Sequence, residues 1–255
     1  MNVVQIIFSP TGGTRRAAEI IAAELGTAGT VVDLTDAGAD FSSVTLNKDD
    51  IAIIAVPSFA GRVPALAASR LAQILGGGAA CVALCVYGNR AYEDTLLELS
   101  DAALRCGFRV AAGVAAVAEH SVVRAYAAGR PDEKDAETLK SFAREIAAKI
   151  RRGADDGVPA MPGNRPYKEV SGGGTLVPRA GEGCVRCGLC ARGCPAQAIS
   201  AEDPSVTDAG KCVSCMRCVS VCPRSARAVD ANIISAVALK LKDVCSVRKE
   251  PELFI

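Results

Sequence analysis

An excess of charge of either sign is missing from this chain, in which 29 Lys and Arg stand against 28 Asp and Glu for a formal net charge of +1. A protein held by nucleic acid presents a basic face, and nothing in this balance predicts one. Aromatic residues are scarce at 4%, so any that gather in loops are more informative than they would be in an aromatic-rich protein. There is a single histidine, His120; no second candidate acid or base accompanies it, and it reads as structural. A basic leader and a small-residue cleavage site are missing from residues 1–10, which points away from secretion. A long unbroken apolar span is missing too. The longest uncharged run, 71–89, is interrupted by Gly76, Gly77 and Gly78, which mark a turn between helix and strand. The expectation is a cytoplasmic protein without a membrane span. With 255 residues, half of them hydrophobic, the chain can form one ordinary core plus a smaller appended module.

Cysteine is what the chain has in abundance, with twelve residues, eight of them between 184 and 222. Without a secretory signal, that clustering favours metal over disulfides. Cys184, Cys187, Cys190 and Cys194-Pro195 follow the spacing C-x-x-C-x-x-C-x-x-x-C-P. Cys212, Cys215, Cys218 and Cys222-Pro223 repeat it 28 residues later. A cubane [4Fe-4S] cluster needs a soft thiolate on each iron, and a short winding loop with two-residue gaps reaches three corners; the fourth ligand comes from elsewhere. Residues 180–230 thus resemble bacterial two-cluster ferredoxins. The resemblance implies that the fourth cysteine of each run ligates the other cluster, so that Cys184, Cys187, Cys190 and Cys222 hold one cube and Cys212, Cys215, Cys218 and Cys194 the other. Arg227 stands where the first copy has Ile199, a departure that leaves every ligand in place. The competing reading is two zinc sites, but zinc ribbons use paired cysteines rather than triplets followed by C-P. Arg186, Arg192, Lys211, Arg217 and Arg224, between the ligands, read as a solvated surface.

The first 155 residues differ in kind. The β-branched run 3–8 has the length of a buried parallel strand, and from Arg15 onward Ala17, Ala18, Ile20, Ile21 and Leu25 recur at helical spacing. Between them lies the loop Ser9-Pro10-Thr11-Gly12-Gly13-Thr14. Its glycines let the backbone approach an anion, N–H groups at the helix start point toward it, and Ser9, Thr11 and Thr14 add hydroxyls. The Walker lysine and any G-x-G-x-x-G are missing, which argues against an ATPase and a standard dinucleotide fold. The loop resembles the phosphate loop of flavodoxins, which binds the phosphate of FMN. Two further strands, 50–56 and 79–86, end in Pro57, Ser58, Phe59, Ala60 and Gly61, and in Tyr87, Gly88, Asn89, Arg90 and Tyr92. Ligands bind at such strand ends in open α/β sheets. The resemblance implies that these loops flank the isoalloxazine ring, with Phe59 on one face, Tyr92 or Tyr87 on the other, and Gly61, Gly88 and Asn89 offering backbone groups to its polar edge.

Strands at 30–34 and 108–118 and helices near 63–75, 92–106 and 131–152 complete the pattern. The expected fold is α/β: a flavodoxin-like doubly wound sheet of five parallel strands over residues 1–155, a linker 156–178 rich in proline and containing Gly172, Gly173 and Gly174, a small α+β two-cluster ferredoxin domain over 179–230, and a helix and tail over 231–255. Cys81, Cys85, Cys106 and Cys245 read as small buried hydrophobes. Taken whole, the chain resembles flavodoxin-ferredoxin fusion proteins. That resemblance implies two [4Fe-4S] clusters and FMN exchanging electrons with redox partner proteins, the flavin converting between one-electron and two-electron steps. The alternatives are a flavin-dependent reductase of a small organic acceptor or quinone, and a ferredoxin whose first domain only docks a partner.

Overall fold

The computed structural model describes residues 2–153, 157–170 and 176–255. The glycine run 172–174 and the boundary near 155 lie outside the described residues. The elements are β1 (Asn2–Ile7), α1 (Gly13–Leu25), β2 (Thr27–Asp33), β3 (Ile51–Pro57), α2 (Ala65–Leu71), β4 (Ala80–Tyr87), α3 (Thr95–Arg105), β5 (Arg109–Val117), α4 (Glu133–Arg152), β6 (Arg179–Ala180), α5 (Leu189–Arg192), α6 (Arg217–Ser220), β7 (Arg227–Ala228), α7 (Ala231–Cys245) and β8 (Glu252–Phe254).

Strand β4 is buried at every position and β3 at all but its last, the mark of strands covered on both faces. Alternate residues serve two cores. Val4, Ile6, Ile54 and Cys85 face α2 and α3, while Val3, Ile7, Ile53 and Leu84 face α1 and α4. The strands run in the order β2-β1-β3-β4-β5, all parallel, which is the flavodoxin-like winding with its switch point between β1 and β3. Cys81 and Cys85 are fully buried, and burial pushes both thiols far up, so they pack as hydrophobes.

A sixth strand was not expected. β8 pairs antiparallel with β5, setting Leu253 opposite Val114. A three-residue strand carries too short a pattern to be read from sequence, and it covers an edge that parallel sheets otherwise leave open. The tail is fastened on the way there. The Asn89 amide nitrogen donates to Cys245 O at 2.8 Å and Val247 O at 2.9 Å, and Lys249 Nζ donates to Asn89 O at 2.6 Å.

Residues 161–168 form a strap over α3. Met161 packs against Gly113, and the Asp94 carboxylate, 1% exposed, accepts from Asn164 N at 2.8 Å, Asn164 Nδ2 at 3.0 Å and Lys168 N at 2.6 Å. Burial opposes ionisation, yet those donors and Arg62 hold the Asp94 carboxyl below its ordinary value. Each donor left bare costs about 1–3 kcal/mol. Asp94→Ala is therefore expected to release the strap, so that trypsin cuts after Lys168 in the folded variant at neutral pH; a variant as resistant there as the wild type contradicts this anchoring.

Candidate functional site

The loops after β1, β3, β4 and β5 meet at the carboxyl end of the sheet. Between β1 and α1 the chain must turn sharply, and Gly12 does so at φ +96°, in the left-handed region where a side chain is strained. Gly13 has a different reason to be glycine: a Cβ there would lie 2.8 Å from Ala118 Cβ, so the start of α1 sits tight against the end of β5. Ser9 accepts from Arg15 N through its hydroxyl at 3.0 Å and donates its own N–H to Thr35 Oγ1 at 2.9 Å. Among the described hydrogen bonds the N–H groups of Thr11, Gly12, Gly13 and Thr14 have no acceptor, an arrangement that receives an anion.

These residues border a cleft of about 360 Å³. One wall is Thr11, Gly12, Gly13 and Arg16, and a second is the loop after β5, with Glu119, Arg124 and Arg130. The third wall is Met216, Val219 and Ser220, on and beside α6. The two parts of the chain are tied together at this place. Arg217 donates to Gly193 O at 3.1 Å and Pro10 O at 3.3 Å, while Arg70 bridges Leu34 O and Pro195 O, each at 2.6 Å. Arg217, expected on a solvated surface, is thus a connection between the halves of the molecule.

The loops expected to flank a flavin ring have partners within the chain. Phe59 turns inward, edge-on to Phe8 at 6.5 Å between ring centroids. Tyr87 and Tyr92 pack edge-to-face at 5.1 Å, and the Tyr92 hydroxyl donates to Glu252 at 3.2 Å. Burial pushes the Tyr87 hydroxyl up to about 12. The backbone groups foreseen for the polar edge have partners within the chain: Gly61 O accepts from Asp94 N, Gly88 O from the Cys245 thiol, and Asn89 O from Lys249. Ser58 Oγ lies 2.8 Å from Thr95 Oγ1, and Arg90 pairs with Glu93. None of Pro57, Ser58, Phe59, Ala60, Gly61, Tyr87, Gly88, Asn89, Arg90 or Tyr92 lines the cleft at the phosphate loop. At Asn89 and Tyr92 the partner is the tail, through the end of α7, Lys249 and β8, and a three-residue strand gives no warning of that. His120, predicted to be structural, is partly buried, accepts from Val122 N and Val123 N at 3.2 and 3.0 Å, and is pushed toward its neutral form by burial.

The eight clustered cysteines surround two cavities. Cys184, Cys187, Cys190 and Cys222 line the first, with Arg227; Cys194, Cys212, Cys215 and Cys218 line the second, with Ile199. In each, three thiols come from one run and the fourth from the other. The halves repeat in backbone as well as sequence. Arg186 and Ser214 both take φ of 52°, Gln197 and Ser225 both 49°, and Gly188 at 74° is matched by Met216 at 61°. Among the described residues no group of three or more Cys, His, Asp or Glu is placed to hold a single metal ion. Each cavity offers four thiols, the set that a cubane with a thiolate at each of four irons requires. Burial pushes Cys215 and Cys218 up to about 12 and about 11, so a metal must displace their protons on binding. At Cys222 burial pulls the same way but is outweighed by the N–H groups of Ala226, Arg224 and Arg227, which hold that thiol below its ordinary value.

Residues 183–226 match the family model of the 4Fe-4S dicluster domain. Similar solved structures include a flavodoxin of Streptococcus pneumoniae TIGR4, 23% identical, covering 58% of this chain and 99% of its own, with a TM-score of 0.42. A flavodoxin from the domain Archaea is 14% identical, covering 59% of this chain and 99% of its own, with a TM-score of 0.41. Rubredoxin oxygen:oxidoreductase of Desulfovibrio gigas is 17% identical, covering 59% of this chain and 36% of its own, with a TM-score of 0.41. No curated protein matches in sequence. The fold rests on the strand order of the sheet rather than on these likenesses. The chain therefore joins a flavodoxin-like sheet to a 4Fe-4S dicluster domain, and among the described residues no helix is long and apolar enough to cross a membrane.

Proposed function

We propose that the protein transfers electrons between two [4Fe-4S] clusters and an FMN held at the phosphate loop, in the cytoplasm, where thiols stay reduced. The observation that carries this reading is the shared cleft. Its walls are the loop Thr11, Gly12 and Gly13 on one side and Met216, Val219 and Ser220 on another, and Met216 lies between Cys215 and Cys218 in sequence. Whatever the loop binds therefore touches the polypeptide that surrounds the second cysteine cavity.

In this reading Thr11, Gly12, Gly13 and Thr14 hold the phosphate through unpartnered N–H groups, the hydroxyls of Ser9, Thr11 and Thr14 add to them, and Arg16 and Arg124 add positive charge at the rim. Met216 and Val219 offer the apolar surface that a ring system needs. Cys184, Cys187, Cys190 and Cys222 ligate one cluster, and Cys194, Cys212, Cys215 and Cys218 the other. When bound, FMN supplies exchange of one or two electrons and the clusters supply one at a time. The first cavity faces outward: Cys187 is exposed, Val185 is 60% exposed and Leu189 42%, so a redox partner protein reaches that cluster. The exposed cavity, the buried one and the cleft would thus form one line along which electrons could pass between a partner protein and the flavin.

The decisive assay is quantitative flavin, iron and sulfide on anaerobically purified protein, with FMN titrated against flavin fluorescence. Gly12→Val places a β-branched residue in the left-handed region at the anion loop, a cost of about 1–2 kcal/mol before any contact is lost. Affinity for FMN is expected to fall by about tenfold or more, with iron content unchanged. Equal affinity in variant and wild type overturns the phosphate-loop assignment. A second reading is favoured by the inward packing of Phe59, Tyr87 and Tyr92: the first domain binds no flavin and serves as a docking scaffold. Protein that purifies without flavin and binds none on addition decides for that reading.

A further inference from the structure

The two halves of the cysteine repeat agree in spacing and backbone but differ in charge at a position buried in both, Ile199 in the first and Arg227 in the second. Ile199 lines the cavity of Cys194, Cys212, Cys215 and Cys218. Arg227, 2% exposed, lines that of Cys184, Cys187, Cys190 and Cys222. A guanidinium so deep is ordinarily both paired and fully hydrogen-bonded. Here Nη1 donates to Pro178 O at 3.2 Å and Thr207 Oγ1 at 2.9 Å, and Nη2 donates to Pro204 O. The Nε–H is buried and has no partner. The ion pairs of this module, Arg186 with Asp203 and Lys211 with Asp208, lie elsewhere, so among the described residues no carboxylate neutralises Arg227.

An uncompensated buried cation is strongly unfavourable unless something negative lies beside it. On the two-cluster reading above, on which this inference rests, the first cavity receives a cube with four thiolates, and that assembly carries net negative charge. A nearby cation and an N–H donor both stabilise its reduced, more negative form and raise its potential. The charge of Arg227 reaches both cavities, because Pro178 and Thr207 line the second and Arg227 itself lines the first.

We propose that Arg227 sets the potential of the cluster at Cys184, Cys187, Cys190 and Cys222 above that of its neighbour, so that an electron shared by the two comes to rest there. In that step one electron leaves the reduced second cluster, which is oxidised, and enters the first, which is reduced; no bond forms or breaks and no proton is required. The exposed cluster then holds the electron where a partner protein can collect it.

The test is a stepwise anaerobic reduction of the full chain by dithionite at controlled potentials, with each cluster followed by electron paramagnetic resonance. The wild type is expected to show two separate one-electron waves. In Arg227→Gln the higher wave should move downward and further than the lower one, lowering the constant for sharing the electron between clusters by about tenfold, equivalent to about 59 mV. Arg227→Lys keeps the charge without the Nε–H and should move the same wave less. Ile199→Arg should raise the other wave and carries the test should both Arg227 variants lose iron. Coincident waves in the wild type overturn the proposal, as do two loaded clusters with unmoved waves in the variants, or an unmoved wave in Ile199→Arg. Native protein without iron sinks the two-cluster reading instead, before any potential is measured.

Discussion

The double variant Cys184→Ser/Cys222→Ser is expected to keep about four irons per chain, whereas Cys184→Ser/Cys194→Ser keeps almost none. The reasoning is geometric. Cys222 closes the ring begun by Cys184, Cys187 and Cys190, although 32 positions of sequence separate it from Cys190, and Cys194 closes the ring of the other run. Two substitutions in one ring remove one cluster, and the second change adds little to the first; substitutions in different rings remove both. Grouping by sequence run would give the opposite outcome, since Cys184 and Cys194 share a run. Iron and acid-labile sulfide measured on anaerobic preparations decide it, and the reversed pattern, or equal iron in the two double variants, rules out the crossed arrangement.

Loss of the Asp135 carboxylate is expected to cost about 3–5 kcal/mol, a large share of the stability of a domain this size. Asp135 is fully buried and Arg130 is 6% exposed. The Arg130 Nε donates to Asp135 Oδ2 at 2.8 Å, Arg130 Nη2 donates to the other oxygen, and Arg130 Nη1 reaches Lys249 O at 2.7 Å. The same carboxylate accepts from Asp132 N at 2.9 Å to complete the capping box of α4, and from Arg248 at 3.1 Å. Asp135→Ala strands a guanidinium in the interior and removes one half of the capping box of a helix of twenty residues. Arg248→Ala breaks a half-exposed pair with Asp132 and one contact to Asp135, whose charge Arg130 still balances, and should cost under about 1 kcal/mol. Urea midpoints at neutral pH compare the two; an Asp135→Ala penalty as small as that of Arg248→Ala refutes the account. Because Arg130 also borders the cleft, the lesion reaches the binding site as well.

Much of this architecture was legible in the amino-acid order. Runs such as 51–56 are apolar throughout because both faces of a parallel sheet are covered, and that pattern needs no neighbour to interpret. The cysteine spacing was equally local. Helix bounds were less so: the stretch expected at 63–75 is helical only over Ala65–Leu71, after which the chain turns into 3₁₀-like bonds such as Ile74 N to Leu71 O. What sequence did not disclose were relations between distant segments. Side-chain direction at Phe59 and Tyr92 depends on packing against Phe8 and Glu252. Met216 reads as a spacer between ligands, and only the docked structure reveals it as a wall of the cleft. One signal was available: Met216 occupies a left-handed position that its counterpart fills with Gly188, and strain retained at a bulky residue points to a role for its side chain.

The strand that closes the β5 edge follows the iron-binding module in the chain, yet it belongs to the sheet that precedes it. During synthesis on the ribosome, that sheet must therefore wait with one flank open until the metal centres have been encoded and threaded past. Until that last segment has been made and has folded back, the β5 flank stays open to pairing with another strand.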